Sequence, residues 1–366
     1  LGRLIHLLLH IIFTFYCQYA SSSLFVGMGD NVAATAGNHH LQPSGWIYKF
    51  LNLILVLIGG IKLIFLSIWR NSWCKSEARL DGKTVIVTGC NTGIGKETCR
   101  DLIKRGAKLI MACRDVTKAE KAAAEIRQTK TDEIIVRHLD LTSLDSVRSF
   151  SSQILKEEPK IHILINNAGI MMHPEDRTKD GFEMHFGVNH LGHFLLTLLL
   201  LDRLKESAPA RIVTVSSAAH EGGEMDFDDI NLSKSYKPWK AYSQSKLANI
   251  LFSKELAKQL HGTGVTTYCL HPGVVDTELG RYMSESGNKT IVRILQFFSS
   301  LFLDTPAKGA QTTIYCAVDE ALENTSGKYY LDCRETEPSS RARDEEDSKR
   351  LWKLSLEMVK LESKSV

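Results

Sequence analysis

The chain has 366 residues, of which 43% are hydrophobic and 24% are charged, enough for one core of about 250 residues with further segments attached. The net charge of +3 is spread over interspersed acids and bases, and no aromatic-basic motif is present, so we expect no nucleic-acid partner. The eight cysteines are scattered without a CxxC pair, which argues against zinc or a disulfide framework and indicates reduced, partly buried thiols in a domain that faces the cytosol.

Residues 1–45 are predicted to be a leader outside the main domain. Within them, residues 4–17 form an apolar run that is too short to span a bilayer comfortably. Two interpretations stay open for this run. It is the core of a signal peptide that follows Arg3, or it is not native and the protein starts at Met28.

Residues 46–70 are predicted to be a membrane-anchor helix. The apolar run 50–69 contains one charged residue, Lys62, and has about the length needed to cross the ~30 Å of hydrocarbon in a bilayer. Trp46 and Trp69 flank the run, as aromatic residues do at membrane interfaces. The central lysine leaves a second interpretation open, in which the helix lies in one leaflet. Basic residues are more frequent after the run than before it, which predicts a single-pass protein whose main domain faces the cytosol.

Short apolar runs alternate with helical segments over residues 82–335. The strand-like runs are residues 84–88, 108–113, 134–139, 161–165, 211–216, 265–270 and 328–331. Helices are predicted near residues 95–105, 117–128, 143–156, 180–205, 240–261 and 307–321. This alternation indicates right-handed crossovers, so we predict an α/β fold: a single Rossmann-type, doubly wound parallel sheet of about seven strands with helices on both faces.

Residues 336–366 are predicted to form a charged tail that ends in an amphipathic helix. Leu351, Leu354, Met358 and Leu361 recur at helical spacing. We expect this helix to dock on the domain or on a partner subunit, which leaves a homodimer open. No chemistry follows from this segment.

A glycine-rich turn, TGCNTGIG, joins the first predicted strand to the first predicted helix. Glycines permit a tight turn there and bring backbone N–H groups and a helix N-terminus against a pyrophosphate. The strand before the turn and the helix after it favour a dinucleotide site over an ordinary turn. The residues expected to contact the cofactor here are Gly89, Asn91, Thr92, Gly93, Ile94 and Gly95.

Arg114 favours NADP(H) over NAD(H). An NAD enzyme places Asp or Glu about 20 residues beyond the glycine turn, at the end of the second strand. Here that strand ends in Cys113-Arg114-Asp115, and a guanidinium can pair with a 2′-phosphate. Asp115 is the competing ribose ligand, and the alternative role for Arg114 is that of an exposed capping or salt-bridging residue.

Two further strand ends point to the same cleft. Asp140-Leu141 follows the third strand, where a carboxylate can accept a hydrogen bond from the adenine amino group. Asn167, Ala168 and Gly169 follow the fourth strand and are small enough to let the backbone approach a cofactor. Ligands of open α/β sheets bind at these carboxyl ends. A surface aspartate and a turn-forming Asn-Gly cluster are the alternative interpretations.

Tyr242 and Lys246 are one helical turn apart and share a helix face. An ammonium beside a phenol is expected to lower the phenol pKa from its usual ~10, which makes it a better proton donor and acceptor. A serine after the fifth strand, Ser216 or Ser217, can hold a substrate oxygen, and Asn189 can hold a water that relays protons to the lysine. The Tyr-Lys pattern is weak alone and gains weight from its order among the other motifs.

The ordered motifs TGCNTGIG, LDL, NNAG, VNHLGH, VSS, YSQSK and HPG resemble the short-chain dehydrogenase/reductase family over residues 82–335. The resemblance implies a catalytic tetrad, in which Ser217 is preferred to Ser216, consisting of Asn189, Ser217, Tyr242 and Lys246. It also implies a segment lining the nicotinamide side that includes Pro272, Gly273, Val274 and Thr277.

Several short segments of the sequence are similar to those of the microsomal, NADP(H)-preferring retinol dehydrogenases. They are ACRD, HILINNAG, GVNHLGHFLL, APARIV, SKLAN, GTGVTTY and HPGVV. This implies an N-terminal anchor in the endoplasmic reticulum membrane and reduction of all-trans-retinal. Cys90 departs from the pattern, which more usually has Ala. We therefore expect hydride transfer between NADP(H) and a lipophilic alcohol or aldehyde, retinal being the best guess. The alternatives are a reductase of other lipid aldehydes or steroids, and a non-catalytic dinucleotide-binding scaffold.

His185, His190 and His193 fall on one predicted helix. No carboxylate or cysteine lies at suitable spacing, so we predict helix packing and no metal site. Residues 291–303 form an apolar segment with three interpretations: the roof of a lipophilic substrate pocket, a segment that dips into the membrane surface, or a buried helix.

Overall fold

The computed structural model describes residues 73–127, 133–273, 275 and 305–362. Several predictions lie outside the described residues: the leader, the anchor, the apolar segment 291–303, Val274 and Thr277. In the described ranges, no helix combines the length and the apolar character needed to cross a membrane.

Eight strands form one sheet, in the order β3-β2-β1-β4-β5-β6-β7-β8. Strands β1 to β7 pair in parallel, and β8 pairs antiparallel with β7. In chain order they are β1 Thr84–Thr88, β2 Lys108–Cys113, β3 Ile134–His138, β4 Ile163–Asn166, β5 Ala210–Val215, β6 Val265–Leu270, β7 Lys328–Leu331 and β8 Arg334–Glu335. The predicted Rossmann-type α/β sheet is confirmed. The eighth strand has only two residues, too few for an alternation pattern in the sequence.

Helices connect the strands and follow the last of them. They are α1 Gly93–Lys104, α2 Val116–Ile126, α3 Leu144–Glu157, α4 Gly192–Glu206, α5 Pro238–Gln259, α6 Pro306–Val318 and α7 Glu345–Met358. A π-helical turn, Phe186–Leu191, leads directly into α4. The helix predicted from residue 180 therefore starts late. Gly181 has a φ of 86°, and the carboxylate of Asp180 accepts the N–H of Leu144 at the start of α3.

Successive residues of the central strands face opposite sides of the sheet, and both sides are covered by helices. Ile86 and Ile110 pack with residues of α3, α4, α5 and α7. Val85, Val87 and Leu109 pack with residues of α1, α2 and α6. Each of these strand side chains is fully buried, and burial of an aliphatic side chain stabilises the fold by roughly 1.5–3 kcal/mol. This two-sided burial explains why the strands read as continuous apolar runs.

The strand order places a cleft beside β1. Since β1 lies between β2 and β4, the chain reverses its winding direction there, and ligands bind at the carboxyl ends of strands next to such a switch point. Thr88, Asn166 and Val215 end β1, β4 and β5 at this edge.

The C-terminal helix packs on the same chain. Leu351 and Leu356 are buried, and Trp352 contacts the rings of Phe194 and Phe252, with centroids 5.2 and 6.0 Å away. The docking side of the predicted amphipathic helix is thus the outer face of α4 and α5.

Candidate active site

The glycine turn after β1 is packed against the loop that follows β4. Gly89 has a φ of 62°, and a Cβ at this position would lie 2.7 Å from the Cβ of Ala168. A Cβ on Gly95 would lie 2.5 Å from Nδ2 of Asn167. Neither position can carry a side chain without displacing this loop, so the contact between the two predicted cofactor segments depends on glycine.

The N-terminus of α1 points its backbone donors at the turn. Thr92 is the N-cap residue, and its side chain makes no capping hydrogen bond. The first turn also contains no acidic residue. Helix N-termini with uncapped N–H groups attract phosphate groups. Together with the close glycine packing, this arrangement fits the pyrophosphate of a dinucleotide.

Replacing Gly89 with Ala is expected to destabilise the protein and to weaken dinucleotide binding at least ~10-fold. Alanine would be strained in the left-handed backbone conformation of this residue, and its Cβ would also clash with Ala168. Gly82→Ala is the matched control, since Gly82 has a φ of 71° and a Cβ there would meet no atom within 4 Å. Fluorescence titration with NADPH and thermal unfolding measure the two effects. Equal behaviour of the two variants would show that the contact with Ala168 is unimportant.

Thr88 and His193 hold the loop after β4 in place, a role that the sequence reasoning missed. Oγ1 of Thr88 accepts the N–H groups of Asn167 and Ala168, each at 3.0 Å. It also lies 2.8 Å from Nε2 of His193. Nδ1 of His193 is 3.1 Å from the carbonyl oxygen of Asn189, which can only accept, so Nε2 is the acceptor for the threonine hydroxyl. Burial lowers the pKa of His193 to about 4, which keeps this neutral form at pH 7.

The adenosine side contains Asp140, but its carboxylate already has partners. Oδ1 accepts from the N–H and the hydroxyl of Thr142 at 3.0 and 2.8 Å, and Oδ2 accepts from Lys179 at 2.9 Å. Burial acts to raise the pKa of Asp140, but the hydrogen bonds from Lys179 and Thr142 outweigh it and lower the pKa. Leu141 packs against Gly192. The predicted contact between Asp140 and adenine stays a prediction and would have to share this carboxylate.

Arg114 and Asp115 are separated in role by the structure. Asp115 is the N-cap of α2 and accepts the N–H of Lys118 at 2.9 Å. Arg114 is exposed at the end of β2 and makes no hydrogen bond or ion pair with the described residues. The carboxylate that competes for the ribose is thus engaged in capping, whereas the guanidinium remains available.

Tyr242 and Lys246 project from α5 beneath the carboxyl edge of the sheet. Both are buried, at 5% and 4% exposure, and Nζ of Lys246 lies 5.9 Å from the centroid of the Tyr242 ring. Nζ donates to the carbonyl oxygen of Val215 at 3.0 Å. Burial lowers the pKa of Lys246 to about 8. The structure thus joins the end of β5 to the predicted catalytic pair.

The expected lowering of the Tyr242 pKa is not found. Burial raises the pKa of Tyr242, and a hydrogen bond with Ser217 opposes the rise only in part. The prediction considered the neighbouring ammonium and left out desolvation, which acts on both groups.

Asn189 lies in the π-helical turn and ties it to the loop after β4. Its Oδ1 accepts the N–H of Ile170 at 2.9 Å, and its Nδ2 donates to the carbonyl oxygen of Ile170 at 3.0 Å and to Oγ of Ser245 at 2.9 Å. A Cβ on Gly169 would lie 3.3 Å from Oδ1 of Asn189 and 3.5 Å from Nζ of Lys246. The structure therefore brings Asn189, Gly169 and Lys246 together. The side-chain amide is used in positioning, and the proposed water relay stays a prediction.

The two serines after β5 have different partners. Ser216 is buried and donates to the backbone carbonyl of Lys246 at 2.6 Å. Ser217 is half-buried, caps the short 3-10 helix Ala218–Gly222 and accepts the N–H of Ala219 at 3.2 Å. Its hydroxyl also interacts with Tyr242. The two hydroxyls thus have different partners, and the preference for Ser217 as the catalytic serine stays a prediction.

The segment after β6 begins at the same edge of the sheet. Gly273 has a φ of 91°, and its N–H donates to Nδ1 of His271 at 3.1 Å. Pro272 lies between them, at the position expected to line the nicotinamide side. The other two residues predicted for this segment lie outside the described part of the chain.

The histidines that share the predicted helix each contact a different partner. His185 lies 2.8 Å from Oε1 of Glu183, and His190 lies 2.9 Å from Oγ of Ser355. His193 contacts Thr88. Across the described residues, no group of three or more potential ligands could hold a metal ion. Glu183 was missed as a partner because it lies two residues before His185, a spacing that does not bring two side chains to one face of a helix.

Comparison with known proteins agrees with this geometry. The sequence profile of the family described as short chain dehydrogenase matches residues 83–287. Human retinol dehydrogenase 12 is 50% identical over 87% of this chain and 98% of its own length. Human retinol dehydrogenase 13 is 51% identical over 80% of this chain and 89% of its own length.

A solved structure shares the same architecture. The crystal structure of an uncharacterized protein from Mycobacterium paratuberculosis is 38% identical, with a TM-score of 0.64, and covers 78% of this chain and 96% of its own. The family profile, which matches residues 83–287, includes the glycine turn, the strand ends and the Tyr-Lys pair described above. The chain belongs to the short-chain dehydrogenase family and is an oxidoreductase that uses a nicotinamide dinucleotide.

Proposed function

We propose that this oxidoreductase interconverts all-trans-retinal and retinol with NADP(H). The observation that carries the proposal is the buried pair of Tyr242 and Lys246, with Ser217 in contact with the phenol at the carboxyl edge of the sheet. The substrate is suggested by relatives that are 50–52% identical in sequence and are named retinol dehydrogenases. Coverage of nearly the whole length of these relatives supports the transfer of the activity.

A nicotinamide cofactor held in this site would supply the hydride for reduction of the aldehyde carbon. Ser217 and Tyr242 would hold the aldehyde oxygen between their hydroxyls, and Tyr242 would donate the proton that completes the alcohol. A pKa of Tyr242 above its usual value keeps the phenol protonated at neutral pH, as a general acid requires.

Lys246 would act on both the ribose and the phenol. An ammonium has three N–H donors, and in the described part of the chain only the carbonyl oxygen of Val215 accepts from it. Its remaining donors suit the ribose hydroxyls of the nicotinamide side. Below about pH 8 its positive charge would also stabilise the phenolate left after proton donation.

Preference for NADP(H) rests on the end of β2. Arg114 is exposed there without a partner among the described residues, and Asp115 is committed to capping α2. A guanidinium binds a phosphate through paired, charge-assisted hydrogen bonds, whereas a free carboxylate would repel it. The local charge therefore favours a cofactor with a 2′-phosphate.

The membrane location is also a proposal. A substrate that partitions into lipid suits a protein held at a bilayer, and residues 50–69 are apolar enough to serve as an anchor. These residues lie outside the described ranges, so placement in the endoplasmic reticulum membrane, with the catalytic domain facing the cytosol, stays a prediction. A homodimer is likewise untested.

The proposal is tested by a cofactor-substrate matrix with the purified full chain. NADPH and NADH are each combined with all-trans-retinal, nonenal and a ketosteroid, and kcat/KM is measured for every pair. We expect the highest value for NADPH with retinal. A higher value with nonenal or the steroid would assign another lipid carbonyl as substrate, and no turnover with any pair would leave a dinucleotide-binding scaffold.

Arg114→Ala is expected to lower kcat/KM for NADPH by ~10- to 100-fold, because hydrogen bonds to a charged group contribute about 1.5–3 kcal/mol. The value for NADH should be unchanged or raised, since that cofactor lacks the 2′-phosphate. Arg334→Ala is the control, because Arg334 lies in β8 and is also exposed. Equal losses with both cofactors would contradict the role of Arg114.

A further inference from the structure

His220 lies directly behind the substrate-facing serine. It belongs to the short helix Ala218–Gly222, which Ser217 caps, and it is 1% exposed. Its Nδ1 is 2.7 Å from the carbonyl oxygen of Ser217. On the other side of the ring, Nε2 accepts the N–H of Ser339 at 3.2 Å.

These two contacts fix the tautomer of the ring. A carbonyl oxygen can only accept, so Nδ1 carries the proton, and a backbone N–H can only donate, so Nε2 carries none. The neutral ring of His220 therefore bridges two backbone segments, and the ring of Tyr329 packs against it with centroids 5.2 Å apart. A protonated ring would lose the bond to Ser339.

The bridge fixes the segment that orients Ser217. Oγ of Ser217 accepts the N–H of Ala219, and the carbonyl oxygen of Ser217 accepts both the backbone N–H and the ring N–H of His220. The hydroxyl and the carbonyl of this serine are thus held by the same short helix. A shift of about 1 Å in a reacting group can lower a rate 10²-fold.

The far end of the bridge is the C-terminal segment. Ser339 meets His220, and Arg341 donates to the carbonyl oxygen of Gly223 at 3.0 Å, at the end of the same short helix. Both residues lie beyond residues 83–287, the region matched by the family profile. They precede helix α7, which is docked on α5. The C-terminal segment is therefore attached to the frame of the active site.

We propose that His220 is a positioning residue for Ser217 and that Ser339 holds the ring in place for this role. The assignment rests on the reductase activity proposed above. His220 does not touch the substrate, since its polar atoms both face backbone groups. It acts through the orientation of the Ser217 hydroxyl, which affects the chemical step more than the binding of dinucleotide.

The test is a double-mutant cycle with NADPH and the best aldehyde of the panel. His220→Phe keeps a ring of similar size and removes both hydrogen bonds, and we expect kcat to fall ~10- to 100-fold with little change in NADPH affinity. His220→Asn retains a donor near the position of Nδ1 and should recover most of the loss. In a Ser217→Ala background, His220→Phe should lower kcat no further, because the group that it positions is already gone.

His162→Phe is the matched control for the loss of a buried histidine. His162 is 6% exposed, and its Nδ1 accepts the N–H of Thr84 at 3.0 Å, at the start of β1 and far from the carboxyl edge. We expect this variant to lose stability without losing kcat. If the wild type is active, two results would overturn the positioning role. One is that His220→Phe keeps full kcat, and the other is that the fold-losses in kcat from His220→Phe and Ser217→Ala multiply in the double variant. A wild type that reduces no aldehyde would overturn the proposed function itself.

Discussion

Replacing Tyr242 with phenylalanine is expected to lower kcat for aldehyde reduction ~10²- to 10⁴-fold, the usual contribution of a general acid. The phenyl ring keeps the packing of the tyrosine, whose centroid lies 6.1 Å from the His185 ring and 6.0 Å from the Trp239 ring. Only the hydroxyl and its contact with Ser217 are lost. NADPH affinity, measured by fluorescence titration, should therefore change little while steady-state kcat falls.

Tyr268→Phe is the control for loss of a buried phenol. Tyr268 is fully buried, and its hydroxyl donates to the carbonyl oxygen of Leu322 at 2.8 Å and lies 2.9 Å from Oγ1 of Thr266, on the far side of the sheet. This variant should be less stable but keep its kcat. A Tyr242→Phe enzyme with nearly normal kcat would exclude the phenol as proton donor, whereas loss of NADPH binding would indicate that the ring is needed to form the site.

The sequence was sufficient to predict the central strands because they are buried on both faces. Strands β1, β2, β6 and β7 begin and end where the apolar runs predicted. A strand covered on both faces by helices is a continuous apolar run, with clear ends. The edge strand β8 has two exposed residues, so its pairing depends on β7 and leaves no local pattern.

Element ends proved harder to predict where side chains compete with backbone hydrogen bonds. The helix predicted from residue 180 fails at its start because Asp180 caps another helix and Glu183 accepts the N–H groups of His185 and Phe186. Such partners are chosen by the folded structure and not by helical spacing.

Site residues that neighbour one another along the chain were predictable, and long-range partners were not. The glycine turn and the Tyr-Lys spacing follow from local geometry. The contacts of Thr88 with His193 and of His220 with Ser339 join residues 105 and 119 positions apart. The sequence contained one signal for His193, because it lies one helical turn after the candidate residue Asn189 and shares its helix face. No local pattern indicates the second.

Lys246 shows why the electrostatics needed the structure. From sequence, an ammonium beside a phenol suggests a charged pair with a lowered phenol pKa. In the fold, burial lowers the pKa of Lys246 to about 8 and raises that of Tyr242. The fold therefore destabilises the positive charge of Lys246, which has a measurable consequence for stability.

Lys246→Met is expected to stabilise the cofactor-free protein by roughly 3 kcal/mol at pH 7 while lowering kcat ~10²- to 10⁴-fold. Methionine has a similar length to lysine and removes the buried charge. The pKa of Lys246 is about 8 in the folded protein, against an ordinary value of 10.5. The carbonyl oxygen of Val215 keeps a donor, because Nδ2 of Asn249 lies 3.2 Å away. Denaturant unfolding of the two full chains measures the difference in free energy.

The pH dependence separates this explanation from improved packing. The folded lysine binds its proton more weakly than the unfolded lysine, so the charge penalty is complete below about pH 8 and is relieved as the pH rises toward the unfolded value. The wild type should therefore gain stability relative to Lys246→Met between about pH 8 and 10.5, and the difference should shrink. A difference that stays constant over this range would mean that packing, and not the buried charge, stabilises the variant. A less stable variant at pH 7 would mean that the bond to Val215 outweighs desolvation.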